Sequence, residues 1–408
     1  MKTLAVTKII PWLALLFGLA LATSTALMSL TWILLLLTAV AVPDFKAKLH
    51  QALENKFILA RCAFFVVFLL GCLWSDAVTA ARLKMLSRLL AYGVAPLLFV
   101  SLGHGQAAKM LLKGFIGGVM LSAILSILSY IIQHPILQGT SDGLTAGALF
   151  KWTIFRGHLL HDVFLAIGGS FILCWLVFAP QLSRGAKLLW TLAYLLCVVD
   201  AMFLVQGRTG QIMLVSMSLF VIVYRFKFKG IIYAALASAV ILPLLLVAAP
   251  ALKNGINEFK QDQNQLQQGN YNTSAGLRKQ FHSNCLALIK RQPLLGYGTG
   301  SFASTYAQQV AGTNSIHTNN PHGDLYLIGV EVGALGILSF ILLIVANCCA
   351  LYQPAAPLYS CMGYSLLLGY LIALTQNSFF MDNVSGLAYL LLMLSILVKL
   401  AEAKRGVN

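Results

Sequence analysis

The stretch "LYLIGVEVGALGILSFILLIVANCCAL", Leu325–Leu351, decides the fold class of this chain. It is continuously apolar, with Glu331 as its one charged residue. An α-helix crosses the hydrocarbon core of a bilayer with about 20 such residues, whereas a barrel strand needs only about 10 that alternate. The stretch therefore predicts a membrane-spanning helix.

The composition extends this prediction to the whole chain of 408 residues. Hydrophobic residues make up 59% of it, charged residues 10%, and the mean hydropathy is +0.83. A soluble domain carries about 25% charged residues. We therefore expect an integral membrane protein of the α-helical type, and no cleavable signal peptide, because the first apolar stretch lacks a small-residue cleavage site.

The apolar runs predict an all-α polytopic membrane protein with about twelve transmembrane helices. Residues 1–249 hold the first nine, residues 250–324 form a long periplasmic loop that contains an amphipathic helix, and residues 325–408 hold the last three and a cytoplasmic tail. The predicted spans are 8–25, 26–43, 57–74, 86–102, 111–132, 159–180, 187–205, 211–225, 230–249, 325–351, 357–375 and 382–400.

The positions of Lys and Arg orient the chain with its N-terminus in the cytoplasm. The clearest inside marker is "YRFKFKG", Tyr224–Gly230. Three basic residues fall on the predicted outside and break the rule: Arg82, Lys84 and Arg88. Either they count against the predicted topology or they form a functional basic patch. Since the other basic residues set topology, the net charge of +16 does not indicate nucleic-acid binding.

Metal and disulfide chemistry find little support in the sequence. The eight cysteines show no CxxC spacing, which argues against a zinc site or a disulfide framework. The outside loops contain no DxD pair, no HExxH and no carboxylate cluster. We expect no metal site and no cofactor.

Two predicted outside segments, 134–158 and 250–324, are too long to be simple turns. Within the second, "NEFKQDQNQLQQGNYNTS", Asn257–Ser274, is polar and is expected to be loosely ordered. Apolar residues then recur at helical spacing from Leu277 to Ile289, which predicts an amphipathic helix ended by Pro293.

Arg208 lies in "VQGRTG", Val205–Gly210, in a very short outside turn. Glycines let a backbone approach a ligand closely, and a guanidinium binds phosphate through two hydrogen bonds. This pattern indicates an anion clamp that includes Gly207 and Thr209. The alternative is an arginine that reaches lipid headgroups.

Other basic residues lie on the same side of the predicted topology. Arg278 is on the amphipathic helix, one turn from His282, and the alternative is a solvated surface arginine. Lys279 and Arg291 are candidates for substrate binding or for headgroup contacts. Arg156, in the other outside segment, is a further candidate for substrate binding.

His322 is the strongest candidate for acid–base chemistry. Pro321 blocks a helix upstream, which places His322 in the first turn of the following span. A helix N-terminus disfavours imidazolium and would keep the ring neutral, and Asp324 could orient it. The alternative is an interfacial histidine without a role, which is also how we interpret His317.

The glycines near this histidine are interpreted as structural. Those of "GYGTGSF", Gly296–Phe302, lack the lysine of a phosphate-binding loop and indicate a turn. Gly329 and Gly333 would form a small-residue face for helix packing. Glu331 lies too far around the helix to partner His322.

The chain resembles the O-antigen ligase family, within the ligase and polymerase superfamily of bacterial surface polysaccharides. The residues that carry the resemblance are "GRTG", "SAGLR", "PLLGYGTGSF" and "NPHGDLYLIGVEVGALGILSF" in their order and spacing between residues 205 and 340. The family commonly has Asn, Ser or Gln after the histidine, where this chain has Gly323. This departure removes a possible hydrogen bond beside His322.

The resemblance implies a GT-C-like glycosyltransferase of the Gram-negative inner membrane with its active site facing the periplasm. It would move O-antigen from undecaprenyl diphosphate to the lipid A-core oligosaccharide, without a metal or nucleotide. His322 would act as general base, and Arg208 and Arg278 would stabilise the diphosphate. The alternatives are an O-antigen polymerase, a protein O-oligosaccharyltransferase and, in a different class, a polysaccharide flippase.

Overall fold

A computed structural model describes residues 2–133, 152–179, 181–205, 207–248, 250–268 and 270–406. Most of the predicted outside segment 134–158 therefore lies outside the described residues. Throughout the described ranges the ordered elements are helices, and none of these ranges contains a strand.

Seventeen α-helices follow one another along the described chain. They are α1 Lys2–Thr23, α2 Thr25–Thr38, α3 Phe45–Leu53, α4 Lys56–Gly71, α5 Thr79–Gly93, α6 Ala95–Leu102, α7 Ala107–Ile131, α8 His158–Phe178, α9 Arg184–Val199, α10 Arg208–Phe226, α11 Phe228–Ala248, α12 Pro250–Gln267, α13 Ser274–Arg291, α14 Phe302–Val310, α15 Asp324–Leu351, α16 Pro357–Ala373 and α17 Asn383–Lys404.

Within the described residues, six of these helices are long and apolar enough to cross a membrane. The number rises to eight if each of two bent helix pairs counts as one span. Three shorter apolar helices accompany them. The chain is thus a helical, multi-pass membrane protein, while the predicted count of about twelve spans is not confirmed.

Close helix contacts in the bundle depend on small residues. Helices α1 and α7 pack together, and a Cβ added to Gly114 would lie 2.0 Å from the carbonyl oxygen of Leu15. The equivalent position on Gly18 would lie 2.2 Å from the carbonyl oxygen of Leu111. Only glycine permits this approach, which is how helices commonly associate in lipid.

A buried arginine joins three helices through neutral groups. Arg61 of α4 is fully buried and donates to the carbonyl oxygen of Phe57 at 2.6 Å and to Oδ1 of Asn347 at 2.6 Å. Asn347 of α15 in turn donates to the hydroxyl of Tyr389 on α17 at 2.9 Å. A charge inside a bundle needs such partners, and here they fix the packing of α4, α15 and α17.

Helix α15 is broken at Gly333, where φ is +58° and ψ is −152°, a conformation that is essentially restricted to glycine. The prediction that Gly333 serves helix packing in a continuous span was therefore wrong. The turn after Pro293 fills the break: Ala334 N donates to the carbonyl oxygen of Pro293, and Gly298 N donates to that of Glu331. The side chain of Glu331 accepts from Gly300 N at 3.0 Å.

The predicted turn of "GYGTGSF" is confirmed, because Gly296, Gly298 and Gly300 all have positive φ. A Cβ on Gly300 would lie 2.7 Å from the backbone of Ala81 and Arg82 on α5. The turn is thus wedged between α15 and α5, and its glycines serve close packing.

The predicted amphipathic helix is α13. It is capped by Thr273, whose Oγ1 accepts from Gly276 N at 3.1 Å, and it buries Phe281, Cys285 and Leu288. The expectation of loose order just before it was wrong, because most of that stretch belongs to α12. Asp262 of α12 accepts from Ala275 N at 3.3 Å, so a tertiary contact with the start of α13 stabilises a helix that is polar in composition.

Candidate active site

The first turn of α10 presents Arg208 and packs against a buried carboxylate. A Cβ on Gly207 or Gly210 would lie 2.1 Å or 2.2 Å from the Asp162 carboxyl group of α8. The glycines of "GRTG" therefore let the Asp162 side chain lie against the start of α10. Thr209 is buried within the same turn.

A π-helical turn, Asp200–Leu204, leads into this segment. Asp200 is fully buried and accepts from Ser126 Oγ at 2.7 Å, and its other oxygen lies 3.0 Å from His161 Nε2. Gln211 Nε2 donates to the carbonyl oxygen of Ala201 at 3.1 Å. These bonds hold the turn that precedes Arg208, and π-helical turns are frequent at functional sites.

Arg208 and Arg278 share one acidic neighbour. Arg208 Nη1 lies 4.0 Å from Asp262 Oδ2, and both side chains are partly buried. Arg278 Nη1 donates to Gln376 Oε1 at 3.5 Å. Burial lowers the pKa of Arg278, the charge of Arg208 lowers it further, and Asp262 raises it. The two guanidinium groups, more than sixty residues apart in sequence, thus lie close enough to repel each other.

His322 lies just before α15, which begins at Asp324, so the prediction that it belongs to the first helical turn was wrong. Its φ is +55°, which is uncommon for any residue other than glycine. Asn320 Oδ1 accepts from His322 N at 2.9 Å and stabilises this backbone conformation. Backbone strain of this kind concentrates at functional sites.

Several causes set the protonation of His322. Burial lowers its pKa below the ordinary 6.5, and the positive charge of Arg278 lowers it further. A hydrogen bond with Asn377 acts in the opposite direction, and His282 has a smaller lowering effect. The net shift keeps the imidazole neutral at pH 7 and able to accept a proton.

Asp324 takes part in a different interaction from the predicted one with His322. Its fully buried carboxylate accepts from Phe380 N at 3.2 Å and from Met381 N at 3.0 Å. These bonds fasten the start of α15 to the segment between α16 and α17. That segment carries Gln376 and Asn377, so Asp324 supports the site indirectly.

The remaining candidates are Arg156, Lys279 and Arg291. Arg156 is buried and donates to the carbonyl oxygens of Ala20 and Leu21 and to Thr25 Oγ1, so its donors are satisfied within the protein. Lys279 is exposed. Arg291 is also exposed and donates to Gln309 Oε1 at 2.8 Å.

Sequence reasoning assigned no role to five polar residues around the cluster. His282 Nε2 lies 3.3 Å from the carbonyl oxygen of His322, and its ring stacks on Tyr326 with centroids 4.1 Å apart. A Cβ on Gly323 would lie 2.8 Å from the Tyr326 ring, so this stack occupies the space beside His322. The five residues are Asp262, His282, Asn320, Gln376 and Asn377.

The cluster contains amides, arginines and histidines in preference to carboxylates. Among the residues that the structure describes, no three His, Cys, Asp or Glu side chains are grouped so that they could hold a metal ion. The cations available to an anionic ligand in this cluster are Arg208 and Arg278, opposed by Asp262. The arrangement can bind a dianion next to a neutral imidazole.

Comparison with known families adds an independent finding. Residues 192–341 match the family model described as O-Antigen ligase, and this range contains Arg208, Arg278 and His322. The match ends before Gln376 and Asn377. No curated protein matches the chain significantly.

The hydrogen bonds of Asn320 give a test of how His322 is held. Its side chain accepts from His322 N and Ser378 Oγ and donates to Asn377 Oδ1. Asn320→Ala removes all three, and we expect the free energy of unfolding to fall by about 1–3 kcal/mol. Thermal unfolding of the purified protein measures this.

Asn319→Ala is the matched control, since Asn319 is the exposed neighbour of Asn320. It should leave the unfolding temperature unchanged. Equal stability of the two variants would contradict the arrangement described here.

Proposed function

We propose that this chain, whose residues 192–341 match the O-Antigen ligase family model, is a ligase that transfers O-antigen from undecaprenyl diphosphate to the lipid A-core oligosaccharide. The observation that carries the proposal is the convergence of two arginines and a neutral histidine from three separate segments, α10, α13 and the residues just before α15. The family match covers all three segments. The reaction takes place on the periplasmic face of the inner membrane.

The arginines bind the diphosphate of the donor. Two guanidinium groups face one carboxylate, Asp262, which leaves an excess of positive charge in a partly buried site. Guanidinium groups bind phosphate oxygens through paired hydrogen bonds. When the bond between C1 of the sugar and the diphosphate oxygen breaks, the electron pair stays on that oxygen, and Arg208 and Arg278 stabilise the charge. Each such donor contributes roughly 2–4 kcal/mol to a transition state.

His322 activates the acceptor. Its low pKa leaves the imidazole free to take the proton from the attacking hydroxyl as the new bond to C1 forms. Attack opposite the leaving diphosphate inverts the anomeric carbon. His282 is a weaker candidate for the base, because its Nε2 already faces the carbonyl oxygen of His322.

Further contacts follow from the position of the basic patch on α5. Arg82, Lys84 and Arg88 belong to the helix that packs against the glycine turn before α14, and Lys84 is exposed. Their charge suits the phosphates of lipid A. The prenyl chain of the donor would lie among apolar helices beside the arginines, and no metal or nucleotide takes part in this scheme.

Three alternative functions fit a membrane protein with such a site. An O-antigen polymerase shares the donor but uses a second lipid-linked glycan as acceptor, and a protein O-oligosaccharyltransferase uses a hydroxyl on a protein. A polysaccharide flippase would place charges along a path through the bundle. The buried Arg61 has neutral partners instead, which favours an enzyme.

The role of His322 is tested by His322→Ala in cells that lack the native chain. Loss of the base should reduce transfer by about 10²–10⁴-fold while the protein remains folded. We expect unsubstituted core and polymer retained on the prenyl carrier, measured by gel analysis of lipopolysaccharide. His317→Ala, an exposed histidine in the same loop, is the control and should support normal transfer.

Normal smooth lipopolysaccharide in the His322→Ala strain would exclude this role. Core that carries a single repeat unit in cells without the chain would instead identify the polymerase.

The pH dependence of kcat/KM tests the electrostatic coupling between Arg278 and His322. Activity should fall on the acid side as His322 becomes protonated. Because the charge of Arg278 lowers the pKa of His322, Arg278→Gln should raise that pKa and move the acid limb to higher pH. Arg278→Lys retains the charge and should leave the limb near its original position. An unchanged limb in Arg278→Gln, or an equal shift in both variants, would contradict the coupling.

A further inference from the structure

A cavity of about 320 Å³ lies between α7, α8, α9 and α16, and none of the residues discussed above belongs to it. Its volume falls at the lower end of the range of small-molecule sites, roughly 300–1,000 Å³. We call it the α7–α9 cavity. The residues that line it include Lys109, Lys113, Met120, Trp175, Trp190 and Met362.

The α7–α9 cavity lies at the end of the bundle opposite the candidate active site. The start of α8 carries Asp162, which touches Gly207 at the active site, whereas Trp175 is near the end of the same helix. Trp190 is near the start of α9, whose far end leads into Asp200. The cavity therefore faces the basic, inside end of the predicted topology.

The mouth of the cavity is cationic. Lys109 and Lys113 are four residues apart on α7 and lie on one face of the helix. Lys113 is exposed and Lys109 is partly exposed. Within the described ranges, neither lysine has an acidic partner within salt-bridge distance. Two unpaired ammonium groups at one opening favour an anionic group there.

The part of the cavity that extends from the two lysines to Met120, here called the shaft, is apolar and about as deep as one membrane leaflet. Met120 lies about 16 Å from Lys109 along α7, at 1.5 Å per residue. Half of a hydrocarbon core of about 30 Å is a similar distance. Trp175 and Trp190 contribute large aromatic walls, which suit the boundary between headgroups and acyl chains.

We propose that the α7–α9 cavity binds one anionic phospholipid. The phosphate lies on Lys109 and Lys113, and one acyl chain extends toward Met120. Two features indicate this occupant: the positive charge at the mouth, which complements a phosphate, and an apolar shaft of acyl-chain length. A zwitterionic lipid would bring a second cation to the lysines and bind less well. The bound lipid fills the space between α7 and α16 and stabilises the bundle on the side away from catalysis.

Native mass spectrometry of the full-length protein in detergent, titrated with phosphatidylglycerol, tests the proposal. We expect one retained phosphatidylglycerol and clearly weaker binding of phosphatidylcholine. Lys109→Gln combined with Lys113→Gln should weaken phosphatidylglycerol binding by about 30-fold, since each lysine near a membrane surface contributes about 1 kcal/mol toward an anionic lipid.

A second variant tests the shaft without touching the charges. A Cβ at Gly117, which lines the cavity, would meet no atom within 4 Å, so Gly117→Leu can enter the cavity without a clash. It should prevent retention of the lipid. Gly185→Leu is the matched control, because Gly185 of α9 is equally open and does not line the cavity.

The proposal is overturned if phosphatidylcholine binds the native protein as tightly as phosphatidylglycerol, if the double lysine variant binds unchanged, or if Gly117→Leu retains the lipid as well as Gly185→Leu does. The comparison of the two lipids on the native protein needs no variant, so it decides the headgroup preference even if a substitution impairs folding.

Discussion

The candidate site depends on one constraint, the pair of hydrogen bonds that the Asp324 side chain accepts from the backbone N–H groups of Phe380 and Met381. Asp324 is fully buried, and Phe380 and Met381 lie 56 and 57 residues after it in the sequence. Each hydrogen bond contributes roughly 0.5–1.5 kcal/mol, and a buried carboxyl group that lost both would be left without partners at a further cost. The start of α15 is therefore fixed to the turn between α16 and α17.

Two consequences for the site follow from this attachment. His322, just before α15, is brought beside Asn377, and Arg278 of α13 is brought within reach of Gln376. Asn320 completes the arrangement through bonds to both His322 N and Asn377. Burial and the nearby charge of Arg278 both lower the pKa of the His322 imidazole and keep it neutral, which is the state a general base requires.

The sequence predicted the membrane fold and the residues of the cluster to different extents. Continuous apolar runs identify membrane helices because lipid permits few other structures, and the spacing from Leu277 to Ile289 correctly predicted α13. The prediction of loose order for residues 257–274 missed α12, because the second half of this helix is almost entirely polar and Asp262 stabilises it through a tertiary bond to α13. The break at Gly333 was missed for the same reason, because the turn that fills it comes from around Pro293.

The residues of the candidate site also divide into those that the sequence indicated and those that only the structure identified. Arg208 stood out because it lies between glycines, Arg278 because it lies on the same side of the predicted topology, and His322 because it follows a proline. The structure places the three within electrostatic reach of one another. Gln376 and Asn377 carry no such signal in the sequence and are identified by their contacts alone. Arg156 was predicted as a substrate ligand, yet each of its three guanidinium nitrogens donates a hydrogen bond to α1 or α2.

The most direct test of the central claim is transfer in vitro by the purified protein, with prenyl-diphosphate-linked glycan as donor, lipid A-core oligosaccharide as acceptor and a chelator present. The account predicts glycan joined to the core with inversion at the anomeric carbon and a rate unaffected by the chelator. Transfer that stops when divalent cations are removed, or that proceeds with retention, would contradict it.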